Sequence, residues 1–549
     1  MNRNKYFLHV LVCLLFTIGL FAFEAAFLPF VPDDSPAIEQ MGQYLLAAVS
    51  SALMFVFVLA AGSSPYRWRF AYFVIFAVAA FPEYGYYKAL RHFSSSEDLA
   101  NVIVGTNLDN KLDAIALYFD RTALLPCAAF LVLLLVLNPL YREGLKNIAT
   151  VLITSLFFFL ATAAFTNNYY PTAASQAFYR TIVGSPFTLH YFRQTERQTI
   201  AYRSEKKPVN NIVFIVDESI SGSHLSINGY SRPTTPVLDE LAKQGFIKNW
   251  GLAASGTTCS ITSNMLLLTG ITDLPDTTGR VSTVPIIFQY AQAMGYKTYF
   301  FDGQMDNYWS LTDSDRQFVN VRYTKQSFKN GNDFEIDAEI GRKTREILDG
   351  STGNFIWINK RGTHVPYHRA YPKSAELWSP VYFDDPSPTF PNAAEEKQAY
   401  VNSYDNAVKY NLGLFFGELF ADGPNKDTAY IYTSDHGQNL KDVPLEAAHC
   451  GSSPIMAEVP LLLISGQGLR VPEVDTKYSA SHSDIFATLL DLMDFPDGER
   501  PIGYNNSLLK AKNSDSLPRY FYTGSLSGEG MRKIPFEKTL VASRQRESH

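Results

Sequence analysis

The sequence predicts two parts of different class: an α-helical transmembrane domain of five spans, then an α/β domain with a mostly parallel sheet. Three observations carry this. Apolar runs dominate residues 1 to 170 of the 549. From Asn210 onward, short β-branched runs alternate with helical stretches. The ends of those runs collect acids, a histidine and glycines, and in parallel sheets ligands bind outside the carboxyl ends of the strands.

The membrane part rests on five segments, roughly Tyr6–Phe30, Met41–Ala61, Phe70–Tyr87, Thr122–Leu140 and Ile148–Phe165. Each approaches the ~20 residues a helix needs to cross hydrocarbon. A cleaved signal peptide would be shorter than the first segment and would not be followed by four more. Arg3 and Lys5, Arg67 and Arg69, and Arg142 and Lys146 fall before the first span, between the second and third, and between the fourth and fifth. The first outer loop instead carries Asp33, Asp34 and Glu39. The positive-inside rule then places the N-terminus in the cytoplasm and everything after residue 170 outside it.

The expected division is a five-helix transmembrane domain over 1–168, an interfacial linker over 169–208 and a catalytic domain over 209–549. In the linker, "AFYRTIVGSPFTLHYFRQTERQTIAYR" alternates aromatic and basic residues, which suits the membrane–water boundary. Net charge is −6 and the basic residues form no stripe, so nucleic acid is not an expected partner. Four cysteines make no disulfide scaffold. Cys13 and Cys127 lie in predicted spans as small apolar residues. Cys259 and Cys450 lie outside, where they could pair.

In the outer domain "NIVFIVDES", "GYKTYFFDG", "GNFIWINK", "DTAYIYTSDHG" and "VPLLLISG" read as strands ending in polar or glycine residues. "TPVLDELAKQG" and "SHSDIFATLLDLMDF" read as helices. One strand delivers Asp217 and Glu218, and another delivers Asp435 and His436. Between them "SGTTCSIT" offers Thr257, Thr258, Cys259 and Ser260, each with an oxygen or sulfur able to attack an electrophile. Carboxylate, carboxylate and imidazole at strand ends form a ligand set that zinc accepts, with a position left for a nucleophile. Asp-His pairs also occur in plain turns and hydroxyl-rich runs in plain caps, so it is the combination that points to chemistry.

The stretches "VDESISGSHLSINGYSRPTTP", "SGTTCSITSN", "GTHVPYHRAYP", "SDHGQNL" and "AAHCG" resemble the lipid A-modifying phosphoethanolamine transferases, within the alkaline phosphatase and sulfatase superfamily. The resemblance implies a sulfatase-like periplasmic domain and an inner-membrane location. It also implies one or more zinc ions, with Glu218, Asp435 and His436 as metal ligands and His364 and His449 near the substrate. The family's nucleophile is a threonine; the register here puts Cys259 on it, with Thr258 one residue before, and both stay open as attackers. Conversion of Cys259 to formylglycine is excluded, because Ile261 and Ser263 stand where that modification needs other residues. A disulfide from Cys259 to Cys450 is the structural alternative.

For substrate binding the resemblance points to Thr106, Asn107 and Asp113 in the third loop and to Gln304 in "FDGQMDN", although the loop spacing departs from the family's and the family's lysine is missing. The implied reaction takes phosphoethanolamine from phosphatidylethanolamine and passes it to lipid A or another envelope glycan through a zinc-bound covalent phosphoenzyme. A membrane-anchored phosphatase or phosphodiesterase, a phosphoglycerol transferase and a non-catalytic binding module are the competing expectations. Oligomeric state is not legible.

Overall fold

The structure is a computed structural model. It describes residues 3–27, 37–64, part of 68–84, 124–137 and 196–537, the last apart from 275–278, 305–314, 329–332, 383–392, 443–447, 505 and 524–530. The chain divides into two compact units, one built on Met1–Val104 and Leu108–Tyr191, the other on Phe192–His549.

In the first unit, helices α1 (Arg3–Phe27), α2 (Ala37–Ser63) and α3 (Leu124–Val136) form where the first, second and fourth spans are predicted. Cys13 and Cys127 are buried with Phe57, Phe73 and Phe130, as small apolar fillers. Among the described residues no helix is long and apolar enough to cross a membrane. Most of the third expected span and all of the fifth lie outside the described residues.

The second unit is built on a seven-stranded sheet in the order β2-β7-β6-β1-β5-β3-β4. The strands are β1 (Asn211–Asp217), β2 (Ile247–Ala254), β3 (Lys297–Asp302), β4 (Val321–Tyr323), β5 (Asn354–Asn359), β6 (Thr428–Ser434) and β7 (Glu458–Ser465). The pairings of β1, β3, β4, β5 and β6 are parallel, while β7 runs antiparallel to both β6 and β2. β1 is central and buried along its whole length. A strand covered on both faces reads as a continuous apolar run, which is why "NIVFIVD" shows no alternation.

Its side chains divide by parity. Ile212, Phe214 and Val216 enter one core with Trp357 and Phe288, where helices α6 (Ile287–Ala293) and α9 (Ile485–Leu492) pack. Val213 and Ile215 enter the other with Ile358 and Phe415, under α4 (Pro236–Lys243), α7 (Ile336–Gly350) and α8 (Ala393–Leu419). Each such side chain contributes about 1.5–3 kcal/mol by leaving water. α5 (Ser260–Thr269) follows β2.

Residues 196–208, expected within an interfacial linker, pack instead on the α/β unit. Arg197 is buried there and makes a forked pair with Asp315, and it donates to the carbonyls of Val281 and Val284. The backbone amides of Gln198 and Ser204 bond to Thr283 and Ala293. A charged group this deep stays only where it is fully paired, and that pins the segment.

Candidate metal and phosphoryl-transfer site

The parallel register of β1 with β6 matches Asp217 to Ser434, so the next residues, Glu218 and Asp435, emerge side by side at the carboxyl edge. The Asp435 amide donates to the Asp217 carbonyl at 2.9 Å, and the Ser219 amide donates to Asp435 Oδ1 at 3.0 Å. His436 follows, and its Nδ1 lies 2.8 Å from the Gly437 carbonyl. That bond leaves a proton on Nδ1 and turns Nε2 inward as a ligand atom. Two glycines make room. A Cβ on Gly437 would meet the carbonyls of Ile455 and Glu458 at 2.6 Å, and a Cβ on Gly362, which holds φ at +60°, would meet Glu218 and Asp217 at 2.6–2.7 Å.

Glu218, Asp435 and His436 are all buried, and one ligand atom from each lies within 4.8 Å of the others. Burial raises both carboxyls above their ordinary range, and the neighbouring Glu218 charge helps push Asp435 to about 7. Asp435 Oδ2 is buried without a hydrogen bond. Two crowded buried carboxylates, an inward imidazole nitrogen and an orphaned oxygen fit a small divalent cation, which would favour the charged carboxylates that burial opposes.

Ser260 completes the group. It is the first residue of α5, and its Oγ lies 3.0 Å from His436 Nε2 and 3.5 Å from Glu218 Oε1. One turn on, Ser263 Oγ donates to the Asp435 carbonyl at 2.6 Å. Residues three apart share a helix face, so this bond sets the face that carries Ser260.

Cys259, read as the nucleophile, is joined to Cys450 in a disulfide, so its sulfur has no thiolate to offer and the attacking role is corrected. Thr258 is buried and donates its hydroxyl to the Gly451 carbonyl. In the sequence Ser260 is one of four neighbouring hydroxyl or thiol carriers, and nothing in the residue types alone separates it from the other three. Its position at a helix start, with Ser263 one turn on, was the available signal.

His449 is buried and stacks on His436 with ring centroids 4.9 Å apart, and the exposed His364 stands edge-on to His449 at 5.6 Å. The three imidazoles therefore form a row that begins at His436, the ring in contact with Ser260. Gln304, read as a substrate contact, donates from Nε2 to Glu218 Oε2 at 3.1 Å and to the Lys360 carbonyl at 2.9 Å. It orients the Glu218 carboxylate, a candidate metal ligand. Thr106, Asn107 and Asp113 lie outside the described residues.

Beneath the site is a group that sequence reasoning missed. Lys360 is wholly buried after β5, with Nζ 2.6 Å from Asp217 Oδ2, 3.6 Å from Asp337 Oδ2 and 4.7 Å from the centre of the Phe415 ring. Tyr432 also donates to Asp217 Oδ2. Asp337 in turn accepts from the amides of Arg361 and Gly362. The cluster locks the ends of β1, β5 and β6 together.

The sulfatase family model matches residues 210–495, more than half of the chain. The chain belongs to the sulfatase family. Among curated proteins it is similar to the Kdo(2)-lipid A phosphoethanolamine 7''-transferase of Escherichia coli K12, 23% identical over 54% of each chain. It is also similar to phosphoethanolamine transferase EptC of the same organism, 28% identical over 42% of this chain and 40% of that one. The match therefore spans about half the length of these relatives. Among solved structures, the integral membrane lipooligosaccharide phosphoethanolamine transferase A from Neisseria meningitidis covers 90% of this chain and 97% of its own, at TM-score 0.60 and 17% identity. The periplasmic domain of E. coli EptC covers 64% of this chain and 100% of its own, at TM-score 0.51 and 22% identity. At these identities the likeness to solved structures is one of fold.

Proposed function

We propose that this sulfatase-family chain is a membrane-embedded phosphoethanolamine transferase of the bacterial inner membrane, with its α/β domain in the periplasm. It takes phosphoethanolamine from phosphatidylethanolamine and gives it to lipid A or a related envelope glycan. The names of the curated relatives support the class of transfer. The five apolar runs of the sequence, read as spans, would hold donor and acceptor in one bilayer. The carrying observation is that Ser260 Oγ sits against the Glu218, Asp435 and His436 ligand atoms.

Zinc suits two carboxylate oxygens and an imidazole nitrogen, and once bound it lowers the pKa of a neighbouring hydroxyl and neutralises phosphoryl charge. Glu218, Asp435 and His436 would hold it. Ser260 Oγ attacks the donor phosphorus; the new O–P bond forms as the bond to the diacylglycerol oxygen breaks. The serine proton passes to that leaving oxygen, carried by His449, a reading supported by its stacking on His436. In the second half, an oxygen of the acceptor attacks the same phosphorus and the proton returns to Ser260 Oγ. His364, at the exposed end of the imidazole row, faces the incoming acceptor. Water in place of the acceptor would make the same site a hydrolase.

The test is the purified, zinc-loaded full chain in detergent with phosphatidylethanolamine and lipid A. Diacylglycerol release together with lipid A gaining phosphoethanolamine supports transfer. Release of free phosphoethanolamine with unmodified lipid A contradicts it in favour of hydrolysis.

A further inference from the structure

The Cys259–Cys450 disulfide has no part in the chemistry above, yet it joins the two segments that must face each other. Cys259 immediately precedes Ser260, and Cys450 immediately follows His449. The two sides differ in how they are held. Ser260 is carried by a helix fixed through Ser263, whereas His449 and Cys450 lie in a stretch of bends between β6 and β7. Among the described residues, two hydrogen bonds join the segments beside the S–S bond: the Cys450 amide donates to the Thr258 carbonyl at 2.7 Å, and Thr258 Oγ1 donates to the Gly451 carbonyl at 2.9 Å, while the Ala448 carbonyl accepts from the Asn439 amide at 2.8 Å. Cys450 also holds φ at +61°, in the left-handed region. A non-glycine residue holds that conformation only where its surroundings enforce it.

We propose that the disulfide is a positioning cross-link that keeps His449 opposite Ser260, and that its reduction lowers the rate of transfer. This rests on the reading of Ser260 and His449 as parts of a phosphoryl-transfer site. Both cysteines are partly exposed, so a reductant can reach them. Two electrons and two protons enter, the S–S bond breaks into two thiols, and a dithiol donor closes to its own disulfide. Cys450 is then free to leave the left-handed conformation, and His449, its chain neighbour, moves with it. A displacement of about 1 Å of a catalytic group can cost about 100-fold in rate.

The experiment compares the purified, zinc-loaded full chain before and after tris(2-carboxyethyl)phosphine, which takes oxygen from water and leaves two thiols. Alkylation mass mapping reports the state of Cys259 and Cys450, and thermal unfolding and metal content are followed in parallel. The expected result is a fall in kcat of about 10- to 100-fold with KM for the donor lipid unchanged and the metal retained, reversed on reoxidation. The double variant Cys259→Ser/Cys450→Ser should sit at the reduced rate and ignore the reductant. Unchanged or raised kcat after full reduction overturns the cross-link alone. So does loss of the folded transition, which would mark a structural staple, or two free thiols in the protein as purified. If the oxidised chain transfers nothing at all, the transferase reading falls and this inference with it.

Discussion

Ser260 Oγ and His436 Nε2 stand 3.0 Å apart, although 176 positions separate them in the chain. The contact follows from sheet register and one helix bond: β1 and β6 set the triad, and Ser263 sets the helix that brings Ser260 to it. Ser260→Ala should therefore cut turnover by about 10³-fold or more, the scale seen when an attacking hydroxyl is removed. Metal content should stay near that of the parent, because three ligands remain. Steady-state kinetics with metal analysis on the same sample checks both, and turnover near the parent's would remove Ser260 from the reaction.

Gln304 supplies the hydrogen bond on the far oxygen of Glu218. Partners of this kind fix the direction of a ligand carboxylate, and losing one typically weakens metal binding by about 10- to 100-fold. Gln304→Ala should show that loss in a competitive chelator titration, whereas a direct substrate contact would raise KM and leave the metal affinity alone.

Much of this was legible in the sequence, for identifiable reasons. β1 and β6 are buried on both faces, so their apolar runs and the acids that end them stand out. The triad is contiguous with those runs. The attacker we propose was not legible, because four neighbouring residues carry suitable atoms and only the start of α5 decides that Ser260 meets His436. β2 escaped because "IKNWGLAA" is unevenly buried and interrupted by glycine. Lys360 escaped because a lysine after a strand reads as solvated, and only the fold reveals Asp217 and Asp337 waiting for it.

That cluster bears on stability. Removing one member of a buried ion pair leaves the other uncompensated and costs about 3–5 kcal/mol. Lys360→Met should lower the unfolding free energy of the α/β unit by that amount in chemical denaturation, and a loss under about 1 kcal/mol would mean that Asp217 is satisfied without it.

Asp484 gives a pH signature away from the metal ligands. It immediately precedes α9, its carboxylate accepting from the Ser481 amide and hydroxyl and from Tyr478, and burial raises its carboxyl from 3.8 to about 6. A carboxyl raised on folding adds stability that is fully present below pH 3.8 and lost as pH rises through 6. The span corresponds to about 3 kcal/mol. Asp484→Asn cannot titrate, so relative to the parent its thermal stability should decline less between pH 4 and pH 6. Parallel curves for the two proteins would show that Asp484 titrates normally.

The most direct measurement is peptide mass mapping after brief exposure of the zinc-loaded chain to phosphatidylethanolamine without acceptor, quenched in acid. A phosphoethanolamine adduct on Ser260, absent from Ser260→Ala and discharged when lipid A is added, is the predicted result. An adduct on Thr258 or on a reduced Cys259, or transfer at full rate with no adduct anywhere, would contradict the account.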